Sequence, residues 1–378
     1  MANIQYHMVE SETSNATGSF TEFNTADFIL TGVGRKYLKN SLRLEGTVVV
    51  KKNNVEKTLA DKFSLDPMIG FHGLIESVST DVQSLSQIEN LTQYPVYAKM
   101  GAASGMDVED FYRSDHVAEG RGGLDANGVY VLEAVAASNK QATGAAAVLT
   151  TEAPFCIKPN MCLNRMTGGD YSFDKMGYIR VSINFARSNH FLFGLDCDAT
   201  MSYEVKNLRL RYTTVPDDKK DVKILMNSYV AIKSTMNSQN ASLQARVPSD
   251  AVLGVAISFL KQSDESDAKE NTYQLQKLPQ IRNLKFLFSD TQNRFISYTI
   301  DEVSDMLDRG VKSLKYAGHS MAQPDILHGN EGFIIGTPFN QVASLRNQKF
   351  TTLIETDSGS LSQRPYQVRQ FFHTLISI

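Results

Sequence analysis

The sequence has no tryptophan, few cysteines and no long apolar run. Sites that bind or hydrolyse sugars usually stack the ligand on exposed aromatic rings, so the absence of tryptophan weighs against a lectin or a glycosidase. Three cysteines in 378 residues are an odd number, which argues against a disulfide framework and fits a reducing compartment. No apolar stretch approaches the roughly 18 residues of a membrane span. We therefore expect neither a span nor, from residues 1–15, a secretion signal.

The charge balance also lacks an excess of either sign. The net charge is -3 and the pI is about 6.2, so there is no global basic field to hold a genome. Hydrophobic and charged fractions of 42% and 21% are those of a globular protein. One local basic cluster, interpreted as solvated strand faces with a weak polyanion patch as the alternative, comprises Arg209, Arg211, Lys219, Lys220 and Lys223.

Motifs that carry chemistry are missing as well. The seven histidines form no H-x-H or H-E-x-x-H pattern and no Cys-x-x-Cys is present, so we predict no zinc site. The acidic groups at 196–198 and 264–267 are interpreted as a solvated loop and a polar turn, and 356–359 as a hairpin loop. Carboxylates paired from distant strands leave no signature in a sequence, and no particular pair stands out. We predict no catalytic, cofactor-binding or metal-binding residue and no enzymatic activity.

What the sequence does contain is strand periodicity, clearest in residues 178–215. In 179–185 apolar residues alternate with polar ones, which predicts a half-buried strand. In 203–212 the alternation slips by one residue at Asn207, which predicts a β-bulge there. A second run, 42–50, places Gly46 on the inward face, where we expect a bulky neighbour to cover it.

Helical spacing is rare. Ile88, Leu91 and Tyr94 have helical intervals, but Pro95 is expected to end any helix there. One clear amphipathic helix is predicted over 303–314. The last two runs, 350–354 and 366–378, are predicted to form a strand pair.

These patterns predict an all-β protein with two consecutive antiparallel β-sandwiches of jelly-roll type, a long loop insertion and one or two short helices. A single core rarely grows beyond roughly 250–300 residues, which favours two domains. The polar residues 1–22 are predicted to be a flexible N-terminal arm, 23–216 the first jelly roll and 217–378 the second. Residues 101–154 are rich in glycine and alanine and are predicted to be an insertion in the first jelly roll. We expect limited proteolysis to cut this insertion first.

The layout resembles the double jelly-roll major capsid proteins of tailless icosahedral DNA viruses. The resemblance rests on short sequence segments. They are GFHGLIESVS, YIRVSINFA and YEVKNLRLRYTTV in the first half, and GFIIGTPFNQVASLRNQKFTTLIET and RPYQVRQFFHTLISI in the second. It implies a structural virion protein whose homotrimers form pseudo-hexameric capsomers of an icosahedral capsid. It also implies penton and minor capsid proteins as partners, an internal membrane or genome facing the shell, and no cofactor.

Two alternatives stay open from the sequence. The chain could be a penton or minor capsid vertex protein with one jelly roll and an accessory domain. It could also be a non-viral carbohydrate-binding β-sandwich, although the lack of tryptophan disfavours this.

Overall fold

The computed structural model describes residues 3–13, 18–56, 65–66, 68–105, 152–194, 197–220, 223–276, 278, 281–289, 295–313, 333–357 and 365–378. The predicted insertion 101–154 therefore lies outside the described residues except at its two ends. No helix in the described ranges is long and apolar enough to cross a membrane.

Strands dominate the described residues. In the first half they are β1 (Gln5–Glu10), β2 (Thr25–Leu30), β3 (Arg35–Tyr37), β4 (Arg43–Lys52), β5 (Val55–Glu56), β6 (Ile75–Val82), β7 (Ser86–Leu91), β8 (Glu152–Ile157), β9 (Met166–Gly168), β10 (Tyr171–Ser172), β11 (Ile179–Phe185) and β12 (Met201–Pro216). In the second half they are β13 (Ile224–Met236), β14 (Asn240–Ala245), β15 (Val252–Lys261), β16 (Ile281–Ser289), β17 (Phe295–Ile300), β18 (Ile335–Ala343), β19 (Phe350–Thr356) and β20 (Tyr366–Ser377).

Helices are few and mostly short. They are α1 (Tyr94–Gly105), α2 (Phe173–Met176), α3 (Ser188–Phe191), α4 (Gln262–Glu265) and α5 (Val303–Ser313), with 3₁₀ turns at Gly70–Leu74 and Cys162–Asn164. Only α1 and α5 exceed a single turn among the described residues.

The strands form four antiparallel sheets within the described ranges. Sheet 1 has the order β10-β3-β12-β4-β5, with β1 paired to β12 and β8 to β4, and sheet 2 has the order β2-β11-β6-β7. Sheet 3 has the order β18-β15-β20-β13-β9 and sheet 4 the order β14-β19-β16-β17. Sheets 1 and 2 enclose one apolar core, and sheets 3 and 4 enclose another. The predicted class, two antiparallel sandwiches of jelly-roll type, is confirmed.

The predicted bulge is present at Asn207. The β12 to β4 register shifts between Lys206 and Arg209, and Asn207 has a φ of 51°. Tyr203 and Val205 are buried before the shift, and the buried residues after it fall one position out of phase. The extra residue thus keeps the apolar side chains on the inward face of sheet 1.

Gly46 faces inward and is covered by a bulky side chain, as the sequence predicts. It lies opposite Phe155 of β8, and a Cβ added at Gly46 would lie 2.9 Å from two carbons of the Phe155 ring. The missing side chain leaves room for an aromatic ring to pack across the strand.

Three expectations need correction. Residues 5–10 of the predicted arm form β1, which pairs with β12 along its whole length, and Phe20 is buried. Pro95 does not end a helix; it lies in the first turn of α1, where a missing N–H leaves no helical bond unmade. The strands at 350–356 and 366–377 do not pair with each other, because β19 belongs to sheet 4 and β20 to sheet 3.

The two adjacent strands β15 and β20 of sheet 3 are buried on both faces. Along β20, Val368 and Phe372 point into the second core, while Phe371 belongs to the first. Its other outward side chains, Arg369 and His373, are also buried. The first half of the chain therefore packs against the outer face of sheet 3.

Candidate functional site

The junction between the two sandwiches is the most elaborate polar site in the described residues. Helix α1 brings Tyr97 onto the outer face of sheet 3. The Tyr97 ring stacks on Tyr229 of β13 with centroids 3.8 Å apart and contacts Phe371 of β20 at 5.5 Å. All three rings are buried, so apolar packing holds the halves together here.

A buried carboxylate, Glu89 of β7, lies beside this aromatic cluster. It accepts the Cys162 backbone N–H at 2.9 Å and the Ser228 hydroxyl at 2.6 Å, and its Oε1 lies 3.5 Å from Nη2 of Arg165. Ser228 belongs to β13, so Glu89 ties the first sandwich to the second. Burial of a carboxylate is tolerated because charged and hydrogen-bonding partners surround it.

Arg165 is the cationic partner. Its Nη1 donates to the Tyr97 hydroxyl at 3.1 Å, and its guanidinium lies 5.3 Å from the Tyr97 ring centre and 5.8 Å from that of Tyr229. Burial alone would lower the pKa of Arg165. The electrostatic effects of Tyr97 and Glu89 exceed this effect, so the pKa of Arg165 lies above its ordinary value. Burial also raises the pKa of Tyr97 to about 12, so this hydroxyl stays protonated and hydrogen bonds to Nδ1 of His373 at 3.1 Å.

A second buried polar group includes Lys99 of α1. Asp66 Oδ2 accepts from Nζ of Lys99 at 2.5 Å and from Nδ2 of Asn271 at 2.6 Å. Its other oxygen accepts the Met68 N–H at 2.9 Å, and Asn271 Oδ1 accepts the Tyr273 N–H at 3.0 Å. Lys99, Asp66 and Asn271 are 0%, 2% and 1% exposed, so the group is closed to solvent.

The segment after β12 is held by a third set of contacts. Lys36 of β3 forms ion pairs with Asp217, at 3.5 Å, and with Asp218, and Ser172 donates to Asp217. The bond to Asp218 is the largest of the effects that raise the pKa of Lys36. Asp217 and Asp218, the first residues after the predicted first jelly roll, are thus fixed to sheet 1.

The acidic groups considered from the sequence do not assemble into a site. No group of three or more histidine, cysteine or acidic side chains that could hold a metal occurs in the described part of the chain. Asp198 accepts from the backbone and hydroxyl of Thr200 in a local turn. Glu265 pairs with Lys233. Residues 358–364 lie outside the described ranges.

The local basic cluster is partly neutralised. Arg209 lies 3.3 Å from Glu10, and Arg211 forms an ion pair with Glu45 on the neighbouring strand. These pairs give the outer face of sheet 1 alternating charge rather than a field of one sign, which weakens the polyanion alternative.

The junction left almost no signal in the sequence. Glu89, Arg165 and Asp66 are single charged residues, which are ordinarily solvated. One available signal was the near-continuous apolar run 252–260, because a strand without alternation is typical of a sheet covered on both faces. It marks β15 of sheet 3 as a central, doubly covered strand.

The fold is the double jelly roll. A solved structure of the Faustovirus major capsid protein matches with a TM-score of 0.57 and 8% identity, covering 100% of this chain and 91% of that one. A chain in the structure of the Sputnik virophage matches with a TM-score of 0.52 and 10% identity, covering 99% of this chain and 85% of that one. No protein-family model matches the sequence, and no curated protein matches it. At these identities the likeness establishes the fold.

Proposed function

We propose that the protein is a structural virion protein that assembles as homotrimeric, pseudo-hexameric capsomers of an icosahedral capsid. The observation that carries the proposal is the junction, which joins two sandwiches into one body through Tyr97, Glu89 and Asp66. Three copies of such a body present six barrels, the number that a sixfold-like lattice position requires. The full-length likeness to the Faustovirus major capsid protein supports the same role.

The division into jelly rolls at 23–216 and 217–378 is part of this proposal. Two pairings cross these bounds, because β1 at 5–10 joins sheet 1 of the first half and β9 at 166–168 pairs with β13 of the second half. The two units therefore share a sheet edge as well as the junction, which suits a tile whose barrels keep a fixed relative orientation.

The proposed partners follow from the role. The chain would bind copies of itself in the trimer, then neighbouring capsomers and penton or minor capsid proteins, with an internal membrane or the genome on one side of the shell. It would reside in the virion and have no small-molecule substrate. The polar groups around Tyr97 and Glu89 are engaged in holding the sandwiches together, so we propose no catalytic role for them.

Native mass measurement of the purified soluble protein, followed by negative-stain imaging, tests the proposal. Three copies with a pseudo-hexagonal outline are expected. Five copies would favour the penton alternative, and a folded monomer at micromolar concentration would contradict both capsid roles. A circular dichroism spectrum typical of β-structure on the same sample ensures that a monomer is not an unfolded chain. Specific binding on a glycan array would favour the carbohydrate-binding alternative.

A further inference from the structure

Lys99, Asp66 and Asn271 form a buried group in which one oxygen touches two nitrogens. Asp66 Oδ2 lies 2.5 Å from Lys99 Nζ and 2.6 Å from Asn271 Nδ2. The two nitrogens are thus at most about 5 Å apart, since both lie within hydrogen-bond reach of one atom. An amine, a carboxamide and a carboxylate that bridges them are the reactants and the acid–base group of an amide-forming reaction.

We propose that Lys99 and Asn271 become joined by an isopeptide bond, with Asp66 as the catalytic acid and base. The bond would link α1 of the first half to the segment that follows α4 in the second half. This inference does not depend on the proposed capsid role, because any double jelly roll with this junction would contain the same three groups.

The reaction begins with proton transfer. Asp66 Oδ2 takes a proton from the Lys99 ammonium, which leaves a neutral amine whose lone pair attacks Cγ of Asn271. The carbonyl electrons move onto Asn271 Oδ1, to which the Tyr273 backbone N–H already donates at 3.0 Å. This N–H is placed to stabilise the developing oxyanion.

Collapse of the tetrahedral intermediate breaks the Cγ–Nδ2 bond. Asp66 gives its proton to Nδ2, takes a second proton from the attacking nitrogen, and ammonia leaves with the electrons of the broken bond. Ammonia then accepts that second proton and departs as ammonium. The ammonium and carboxamide groups are thus converted into one secondary amide and one ammonium ion, so that no oxidant, reductant or co-reactant is needed.

The surroundings favour the reaction. The Met68 N–H holds the second oxygen of Asp66 at 2.9 Å, and the Tyr273 N–H fixes the plane of the Asn271 amide, so both reactants are oriented. All three side chains are closed to solvent, which keeps water from competing with the amine for Cγ.

Intact mass spectrometry of the folded full-length protein is the first test. The chain is expected to be one ammonia, about 17 Da, lighter than its sequence. Trypsin should then fail to cut after Lys99, and the peptide 63–113 should be recovered covalently joined to 270–277. A succinimide at Asn271 would lose the same ammonia but leave these peptides separate, and that result would overturn the proposal.

Variants separate the roles. Lys99→Met and Asn271→Ala should each restore the full mass, and so should Asp66→Asn, which keeps both reactants and removes the acid–base group. Asn271→Asp should instead lose water, about 18 Da, on forming the same cross-link. Lys36, which is buried beside Asp217 and Asp218, is the internal control, and its peptides should show no mass loss. Full mass and normal cleavage after Lys99 in the wild-type protein, unchanged after prolonged incubation, would refute the bond whatever the variants do.

Discussion

Glu89 and Arg165 bring opposite charges to 3.5 Å within the junction, with side chains that are 0% and 7% exposed. Removing one partner leaves the other charge buried and unpaired. We expect Arg165→Met to lower the free energy of unfolding by about 3–5 kcal/mol. Arg211→Met, which breaks the exposed pair with Glu45, is the matched control and should cost less than about 1 kcal/mol. Chemical denaturation measures the unfolding free energy of both variants. Equal losses would show that the buried ion pair stabilises the fold no more than the exposed one.

The close approach of Gly46 to Phe155 gives a second prediction. In Gly46→Ala the new methyl group would meet the ring at 2.9 Å, so overpacking should destabilise the fold by about 1–3 kcal/mol. Phe155→Leu should relieve this clash, and the double variant should lose less stability than the two single variants together. Thermal unfolding of the three proteins tests the coupling, and simple additivity would argue against the contact.

Asn207 tests the β-bulge. Its φ of 51° is a left-handed conformation that glycine and asparagine adopt readily, whereas a β-branched side chain is strained there by roughly 1–2 kcal/mol. We expect Asn207→Val to destabilise the protein by that amount and Asn207→Gly to leave stability nearly unchanged. Because Asn207 is exposed, neither change alters core packing. Equal stability of the two variants would show that the bulge does not require this conformation.

The attachment of β1 should depend on pH. His7 stacks on Tyr212 with ring centres 4.8 Å apart, and its Nε2 lies 2.8 Å from the Thr214 hydroxyl, which also accepts from Nε of Arg35. Burial, and then the nearby Arg35 guanidinium, lower the pKa of His7 below its ordinary value. The unfolded chain therefore binds more protons at this site, and the contribution of His7 is present at neutral pH and lost as pH falls below about 6.5.

Hydrogen exchange of residues 5–10 at pH 7.5 and pH 5 measures this effect. Faster exchange is expected at pH 5 in the wild type, after correction for the intrinsic rate. His7→Gln keeps a polar side chain without a titrating ring and should remove most of the pH dependence. A variant that responds to pH as the wild type does would assign the effect to another group.

Much of the fold could be predicted because strand alternation reports directly on burial. The row from Ile179 to Val181 and Ile183 is buried as its pattern predicts, and the phase slip at Asn207 locates a bulge to the residue. Strand alternation does not report burial where both faces of a strand are covered. Arg369 and His373 on β20 look like a solvated face in the sequence, yet they are buried against the first sandwich.

The junction could not be predicted for a related reason. The partners of Glu89 and of Asp66 lie far away in sequence, at Ser228 and Asn271, and a single charged residue carries no information about a distant partner. The start of α1 cannot be predicted from Pro95 alone, because proline suits the first turn of a helix as well as the position after its end.

The pairing of β9 with β13 bears on how the chain is made. Residues 166–168 leave the ribosome before any other strand of sheet 3 or sheet 4 has been synthesised, so the first strand of the second sandwich already belongs to the first half when β13 emerges. A gene fragment that begins at 217 would lack this template and would leave the edge of β13 uncovered, a surface that recruits other chains. The two halves are thus consecutive in sequence, but the second takes one strand of sheet 3 from the first.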